Sequence, residues 1–417
     1  MTMKQTQTKL FDFADVGLDF CAGSKNLFPD RFKKMLSLGY NEKTVSSVAV
    51  AGNQVTLTYG GTHGYVADRV LKVNAPELLS INSGEFVIDS VTANTVTMTI
   101  DGAPTSIAGN FTTKIASLGW TIEYEVGNVH IYKFKHYDDT DMYLRLCFQE
   151  QSARRNCVSP CIGKTANLST GVITDASALQ DTVSLTTPDN KFKWEFQYAA
   201  NSTFNSATYA AGLSTFGKGM VIGSPYHLAI LSNRGNATNF GTINGFSPVS
   251  VFNYSNLDYP LLLGCIDQAN ITGSGTNGGQ DYTTSLLDGG CAYIGNIRVN
   301  FQTSISTTFA TSKELFLKTN SATSYLPTTI DNFNTTTARP IPIYERSTSQ
   351  FLGFTAGGVF ECHYSAAAKP SQAIADSPSV VTEIDFNNTA VVHSICSGSA
   401  ATSVFLAFPL EKIKNGT

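Results

Sequence analysis

The chain has 417 residues, of which 14% are charged, and a formal net charge of −4. That length exceeds what one ordinary core holds, so two or three domains are expected, while 42% hydrophobic residues exclude wholesale disorder. A slightly acidic balance without clustered Lys and Arg excludes a dedicated nucleic-acid binder, and without a run of eighteen apolar residues no membrane span is expected.

Residues 1–42 read as a lead-in with one short helix. Pro29 stands at its start and Gly39 just past its end, the asymmetry that helices prefer. Arg31, Lys33 and Lys34 then read as its solvated face. The opening stretch MTMKQTQTKLFDFADVG lacks the apolar core of a signal peptide, so synthesis in a cytoplasm is expected.

Residues 43–115 read as a small β-module, Ig-like or barrel-like. Its strands are the runs Val55–Tyr59, Arg69–Val73, Glu85–Asp89 and Val96–Ile100, each closed by Gly, Asn, Asp or Pro. Period-two alternation of β-branched and aromatic residues marks half-buried strands. Residues 116–417 read as a larger β-sandwich domain, with a further division near 310–340 left open. Asn128–His136 alternates strictly, Asp138-Asp-Thr-Asp141 makes a turn, and Met142–Phe148 alternates again, which is a hairpin with an acidic tip.

Further strands are expected at Phe192–Tyr198, Gly219–Gly223, His227–Ser232, Ile297–Thr303, Gly358–Tyr364, Val380–Ile384, Val391–Cys396 and Val404–Pro409. Ile341–Glu345 is expected at a sheet edge because Pro342 cannot donate to a ladder. The Gly- and Asn-rich stretch 271–280 reads as a mobile loop. The fold class is therefore all-β: several β-sandwich or barrel-like domains, a small N-terminal β-module and very little helix.

Residues 197–300 hold only seven charged side chains, Lys218, Arg234, Asp258, Asp267, Asp281, Asp288 and Arg298. Either this is a neutral Thr/Asn-rich β-domain, or its surface is covered by neighbouring subunits. The eight cysteines are scattered and read as buried free thiols; Cys157-Val-Ser-Pro-Cys161 is a weak zinc signal without a second pair.

Clustered carboxylates suit a hard cation, so Asp138, Asp139 and Asp141 are weak calcium candidates, against a solvated hairpin tip. The tyrosines, Tyr254 and Tyr259 in particular, are weak candidates for a sugar platform, against core and interface packing. None of the six histidines, His63, His130, His136, His227, His363 and His393, lies in a nucleophile motif, and no G-x-S-x-G occurs. His63, just before Gly64, reads as a turn residue. Phe216–Gly223 has the glycines of a phosphate loop but leads into a strand, not a helix, so nucleotide binding is rejected. No catalytic residue and no cofactor are expected. Paired carboxylates acting on glycans stay open as an alternative, because their geometry is invisible in sequence.

Two stretches resemble a group of tailed-bacteriophage virion proteins. The first is Thr62-His63-Gly64-Tyr65 with Asp68-Arg69-Val70, followed by Ile81–Ile88 and Thr95-Val-Thr97. The second runs from Leu118-Gly-Trp120 through Val129–Lys133, Tyr143-Leu-Arg145 and Ala153-Arg154 to Lys193-Trp194-Glu195, Phe216–Leu231 and Asp258–Gly264. The resemblance covers roughly residues 45–265 and implies a virion structural protein of the tail tip or baseplate, made in the host cytoplasm. A neck, collar or capsid-decoration role is the alternative, as is a receptor-binding protein for host polysaccharide. The implied partners are further copies of the chain and other virion proteins. Edge-strand pairing between subunits is expected to supply the register of association, and apolar burial its affinity.

Overall fold

The computed structural model describes residues 3, 6–20, 27–148, 157–180, 192–195, 219–233, 241–264, 292–301, 336–364, 379–383, 388–395 and 404–413. The expected loop at 271–280 and the boundary near 310–340 lie outside the described residues. The protein is mostly sheet, divided into several sheets, and the described residues hold one α-helix.

The alternating runs between residues 40 and 115 form one sheet, in the order Glu85–Val87, Val70–Val73, Thr112–Ile115, Tyr40–Ala51, Gln54–Tyr59, Thr95–Thr99, Ser90–Val91. Its first and last members are consecutive pieces of one extended segment. Ile88 N–H bonds to Arg69 O on one side, and Asp89 N–H to Thr97 O on the other. Residues 85–91 thus bridge the two ends of the sheet and curl it into a small barrel-like form, with Glu85–Val87 paired at one end and Ser90–Val91 at the other. Val55, Leu57, Leu71, Val73, Phe86, Val96, Met98 and Ile115 fill its buried core. Burying each such side chain stabilises by about 1.5–3 kcal/mol.

The lead-in belongs to the body. Lys9–Asp12 pairs antiparallel with Gly219–Ser224 and forms one margin of a ten-stranded sheet. That sheet continues through His227–Asn233, Gly241–Ser247, Leu261–Leu263, Ala292–Ile294, Ile297–Asn300, Pro342–Glu345 and Phe351–Thr355 to Val249–Val251 at the other margin. The helix Phe28–Lys33 has Pro29 in its first turn and passes into a π-turn, Lys34–Leu38. Gly39 ends it at φ 74°, where a Cβ would lie 2.3 Å from Ile115 O; a glycine is needed there. The basic residues on this helix are not a solvated face. Arg31 is buried against Asp19 O and Asp30, and Lys33 reaches Glu125 in a strand of a neighbouring sheet.

The hairpin pairs Val129–Lys135 with Asp141–Phe148 in the register Val129↔Cys147 to Lys135↔Asp141. It is the centre of a five-stranded sheet flanked by Thr121–Val126 and by Cys157–Gly163, which carries Trp194–Glu195. Phe148 and Trp194 pack on Phe32, which joins this sheet to the helix. A last five-stranded sheet holds Thr336–Arg339, Phe360–Tyr364, Val404–Leu410, Asn388–Ile395 and Ser379–Glu383. Cys147, Cys161 and Cys362 are buried thiols outside any disulfide.

Pro342 corrects one expectation: its strand lies between two others, not at an edge. The described ladder to Ile297–Asn300 uses only Tyr344 and Glu345, so no bond is asked of the proline on that side.

Among the described residues, three ion pairs fasten the barrel to the rest. Arg69 grips Asp15 with two nitrogens, Nε at 2.8 Å and Nη2 at 3.0 Å, and Tyr40 OH donates to the same carboxylate at 2.7 Å. All three side chains are buried. Burial pushes the Tyr40 hydroxyl far above its ordinary pKa, and Asp15 adds to that. Lys9, also buried, meets Glu85 at 2.8 Å; burial lowers its ammonium pKa against the pull of that carboxylate. Lys412 reaches Asp68 at 2.6 Å from the far end of the described chain.

Candidate functional site

The sheet margin formed by Pro342–Glu345, Phe351–Thr355 and Val249–Val251 carries an unusual outer face. Along Phe351–Thr355 the pairing runs Ile343↔Gly353 and then Tyr344↔Phe351, so Leu352 is an extra residue, a β-bulge. In a regular strand Phe351 and Phe354, three apart, would point to opposite faces. The bulge re-aims them to one side, where their ring centroids are 5.0 Å apart. Phe351 also meets Tyr344 at 5.5 Å and Phe252 at 6.2 Å, all edge to face. Gly353 makes the bulge practicable. Its φ is +149°, and a Cβ there would sit 2.1 Å from Ser250 O.

The rings are not core residues. Phe252 is 51% exposed, Phe354 46% and Tyr254, which follows in the adjoining loop, 61%. Exposed Asn253, Ser255, Asn256 and Gln350 border them. Glu345, the acid beside Tyr344, folds into its own turn and accepts N–H bonds from Ser347 and Thr348. Burial alone would raise its pKa, but these bonds hold it at about 2.

The loop Phe252–Tyr259 is braced from below. Tyr259 is 2% exposed; its hydroxyl donates to Asp175 at 2.7 Å, and Lys164 Nζ lies 4.7 Å above its ring. Lys164 also meets Asp258 at 2.7 Å. His136 Nε2, at the base of the acidic hairpin tip, is 3.2 Å from the other Asp258 oxygen, an electrostatic contact outside hydrogen-bond geometry. Burial lowers the His136 pKa, opposed by Asp258 and Asp138. The fold thus brings together the hairpin tip and the tyrosine loop, which stand more than a hundred residues apart.

It does not make them one binding site. Asp138 accepts from Thr140 N–H and its hydroxyl, Asp139 from Tyr226 OH, and Asp141 pairs with Lys135 at 2.6 Å. The three carboxylates face three different partners. Among the described residues, no group of three or more His, Cys, Asp or Glu could hold a metal ion. Of the two tyrosines, Tyr254 offers a free ring and Tyr259 does not, because its face and hydroxyl are already taken.

His63 serves its turn: Nδ1 accepts the Tyr65 N–H, and Nε2 lies 2.9 Å from Thr92 O, which fixes the neutral ring with its proton on Nε2. His130, His136, His227 and His393 are buried as well. One Ser–His contact was not visible in the sequence: Ser224 Oγ lies 2.8 Å from His227 Nδ1 across the turn Ser224-Pro-Tyr-His227. Both side chains are buried, Ser224 also caps the Tyr226 N–H, and His227 Nε2 has no hydrogen-bond partner. Without an acid behind the imidazole or access for a substrate, the pair is a turn lock.

The residues that sequence reasoning missed are Phe252, Phe351 and Phe354. The only signal for them was a glycine interrupting an aromatic strand, which marks a bulge without saying where its rings point. No family model matches the chain, and no curated protein matches it.

Proposed function

We propose that this chain is a non-enzymatic structural component of a tailed-phage virion, working at the tail tip or baseplate by assembly with copies of itself and neighbouring proteins. The observation that carries the assembly role is the outward aromatic face at residues 252, 344, 351 and 354. Clusters of exposed aromatic side chains are a mark of protein interfaces. The charge-poor composition of residues 197–300 supports the same reading, since such a surface has little electrostatic protection against association. The virion assignment rests on the sequence resemblance. Its test is mass spectrometry of gradient-purified phage particles: peptides of this chain in a fixed ratio to the tail proteins are expected, and their absence from intact particles overturns the proposal.

A second reading, binding of host polysaccharide, is favoured by one observation. Tyr254 is the most exposed ring of the face and stands among exposed amides and a hydroxyl, Asn253, Ser255 and Asn256. A glycan array probed with the wild type and Tyr254→Ala tests it: signal lost in the variant supports it, and no signal from either removes it.

A further inference from the structure

We infer that the contact between His136 and Asp258 is an acid-released latch. At neutral pH it holds the tip of the hairpin to the loop that carries Tyr254, and as pH falls it lets the two part. The inference concerns the order of that loop and stands whether or not the outer face assembles with a partner.

The two sides of the latch are unequal. His136 is fixed through its backbone, whose N–H bonds to Thr140 O at 2.8 Å and whose carbonyl accepts the Asp139 N–H at 2.9 Å. Its ring packs on Tyr137 at a centroid distance of 4.2 Å, and the residue is 3% exposed. Asp258 follows the short turn Ser255–Leu257 and stays partly solvated. Within the loop, Tyr254 N–H bonds to Phe252 O and Leu257 N–H to Tyr254 O; toward the hairpin it extends the Asp258 carboxylate. One oxygen of that carboxylate meets Lys164 at 2.7 Å, and the other lies 3.2 Å from His136 Nε2.

Protonation turns this contact against itself. Nε2 is buried and has no hydrogen-bond partner, because Asp258 lies outside bonding geometry. A proton there adds a charge that neither water nor a hydrogen bond compensates. Burial is the largest influence and opposes the charge; Asp258 and Asp138 favour it, and Lys164 opposes it. The outcome is a His136 pKa lowered from its ordinary 6.5. When loop and tip separate, the ring meets water and returns to that ordinary value. Protons therefore bind the open form more tightly and draw the population toward it. Above about pH 6.5 both forms are neutral and the latch keeps its full hold; below it the hold declines.

The test is hydrogen exchange of the full chain, read by mass spectrometry at pH 7.5 and pH 5 and corrected for the intrinsic pH dependence of exchange. Peptides covering residues 136–141 and 252–259 are expected to exchange at least about threefold faster in acid, relative to the barrel strand Gln54–Tyr59. In His136→Gln, which takes up no proton, the acid effect is expected to vanish. In Asp258→Asn it is expected to grow, because the carboxylate that favours the imidazolium in the closed form is gone. A merely structural contact would loosen equally at both pH values. Equal corrected exchange at the two pH values in the wild type overturns the latch. So does slower exchange in acid, which would mean that the imidazolium bonds Asp258 and tightens the contact. An acid effect that survives in His136→Gln overturns it as well, and an acid effect that shrinks in Asp258→Asn does so even where His136→Gln fails to fold.

Discussion

The junction between barrel and body and the outer face at the opposite sheet margin are built from the same kinds of residue, and burial gives them opposite meanings. At the junction, Asp15, Arg69 and Tyr40 are enclosed, and the two-pronged Arg–Asp contact is shielded from water. Under the outer face, Lys164 and Asp258 form an equally short pair at 2.7 Å, but both side chains stay more than a third solvated. A buried pair leaves a stranded charge when one partner goes, whereas a solvated pair is replaced by water. Aromatic rings follow the same division. Phe13, Phe20, Phe28 and Phe32 pack against one another inside the body, while Phe252 and Phe354 stand out of it. The junction is therefore structural and fixes the barrel, and the outer face is the surface on which the proposed assembly rests.

The contrast can be broken most sharply at Arg69. Arg69→Met should cost roughly 3–5 kcal/mol by stranding the Asp15 carboxylate, read as a lowered midpoint in urea. Adding Asp15→Leu should recover much of that loss; a double variant as unstable as the single one would show that the stranded charge was not the cause.

Acid should act next. Burial holds the folded-state pKa of His130 and of His227 down to about 4, against about 6.5 unfolded. Both are neutral in the fold, so the unfolded chain binds protons first as pH falls. Stability is thus fully present above about pH 6.5 and declines as pH drops toward 4. Thermal melts across that window should show the decline, and His227→Asn should flatten it; an unchanged slope would count against the burial argument.

Gly353→Ala tests whether the bulge orders the outer face. Its φ of +149° and the 2.1 Å approach to Ser250 O leave no room for a methyl group, so a loss of about 1–3 kcal/mol is expected. Any self-association through the aromatic face should fall with it, although no ring has been touched. Lys164→Met should cost less than about 1 kcal/mol, and the loss should shrink further in high salt. Smallest of all, Tyr254→Ala should change stability by no more than about 0.5 kcal/mol; a larger loss would mean that the loop is packed and not presented.

Much of the fold is legible in the alternation of the chain. The hairpin at 129–148 is found with its acidic turn, and Val404–Leu410, Asn388–Ile395 and Gly219–Ser224 lie within a few residues of where period-two runs place them. The helix is marked by Pro29 and Gly39 alone. These features are legible because each depends on neighbours within a few residues. Closure of the barrel is not, since residues 85–91 have to reach two strands at once. The fate of Arg31 is not legible either. A cation on a short helix reads as solvated until Asp19 O is brought against it.

The sequence by itself determined that this is a β-protein, that its polar residues are mostly uncharged, and where its strands begin and turn, because side-chain alternation and turn chemistry act locally. Only the tertiary structure decided that residues 85–91 bridge the two ends of the small sheet, that Lys9, Asp15 and Arg69 are shielded from water, that Tyr259 is hidden while Tyr254 is not, and that one extra residue at Leu352 turns Phe351 and Phe354 to the same side. Each of those outcomes depends on what a distant segment places against the residue. Burial of a charge, like the exposure of a ring, is a property of that meeting and not of the side chain alone.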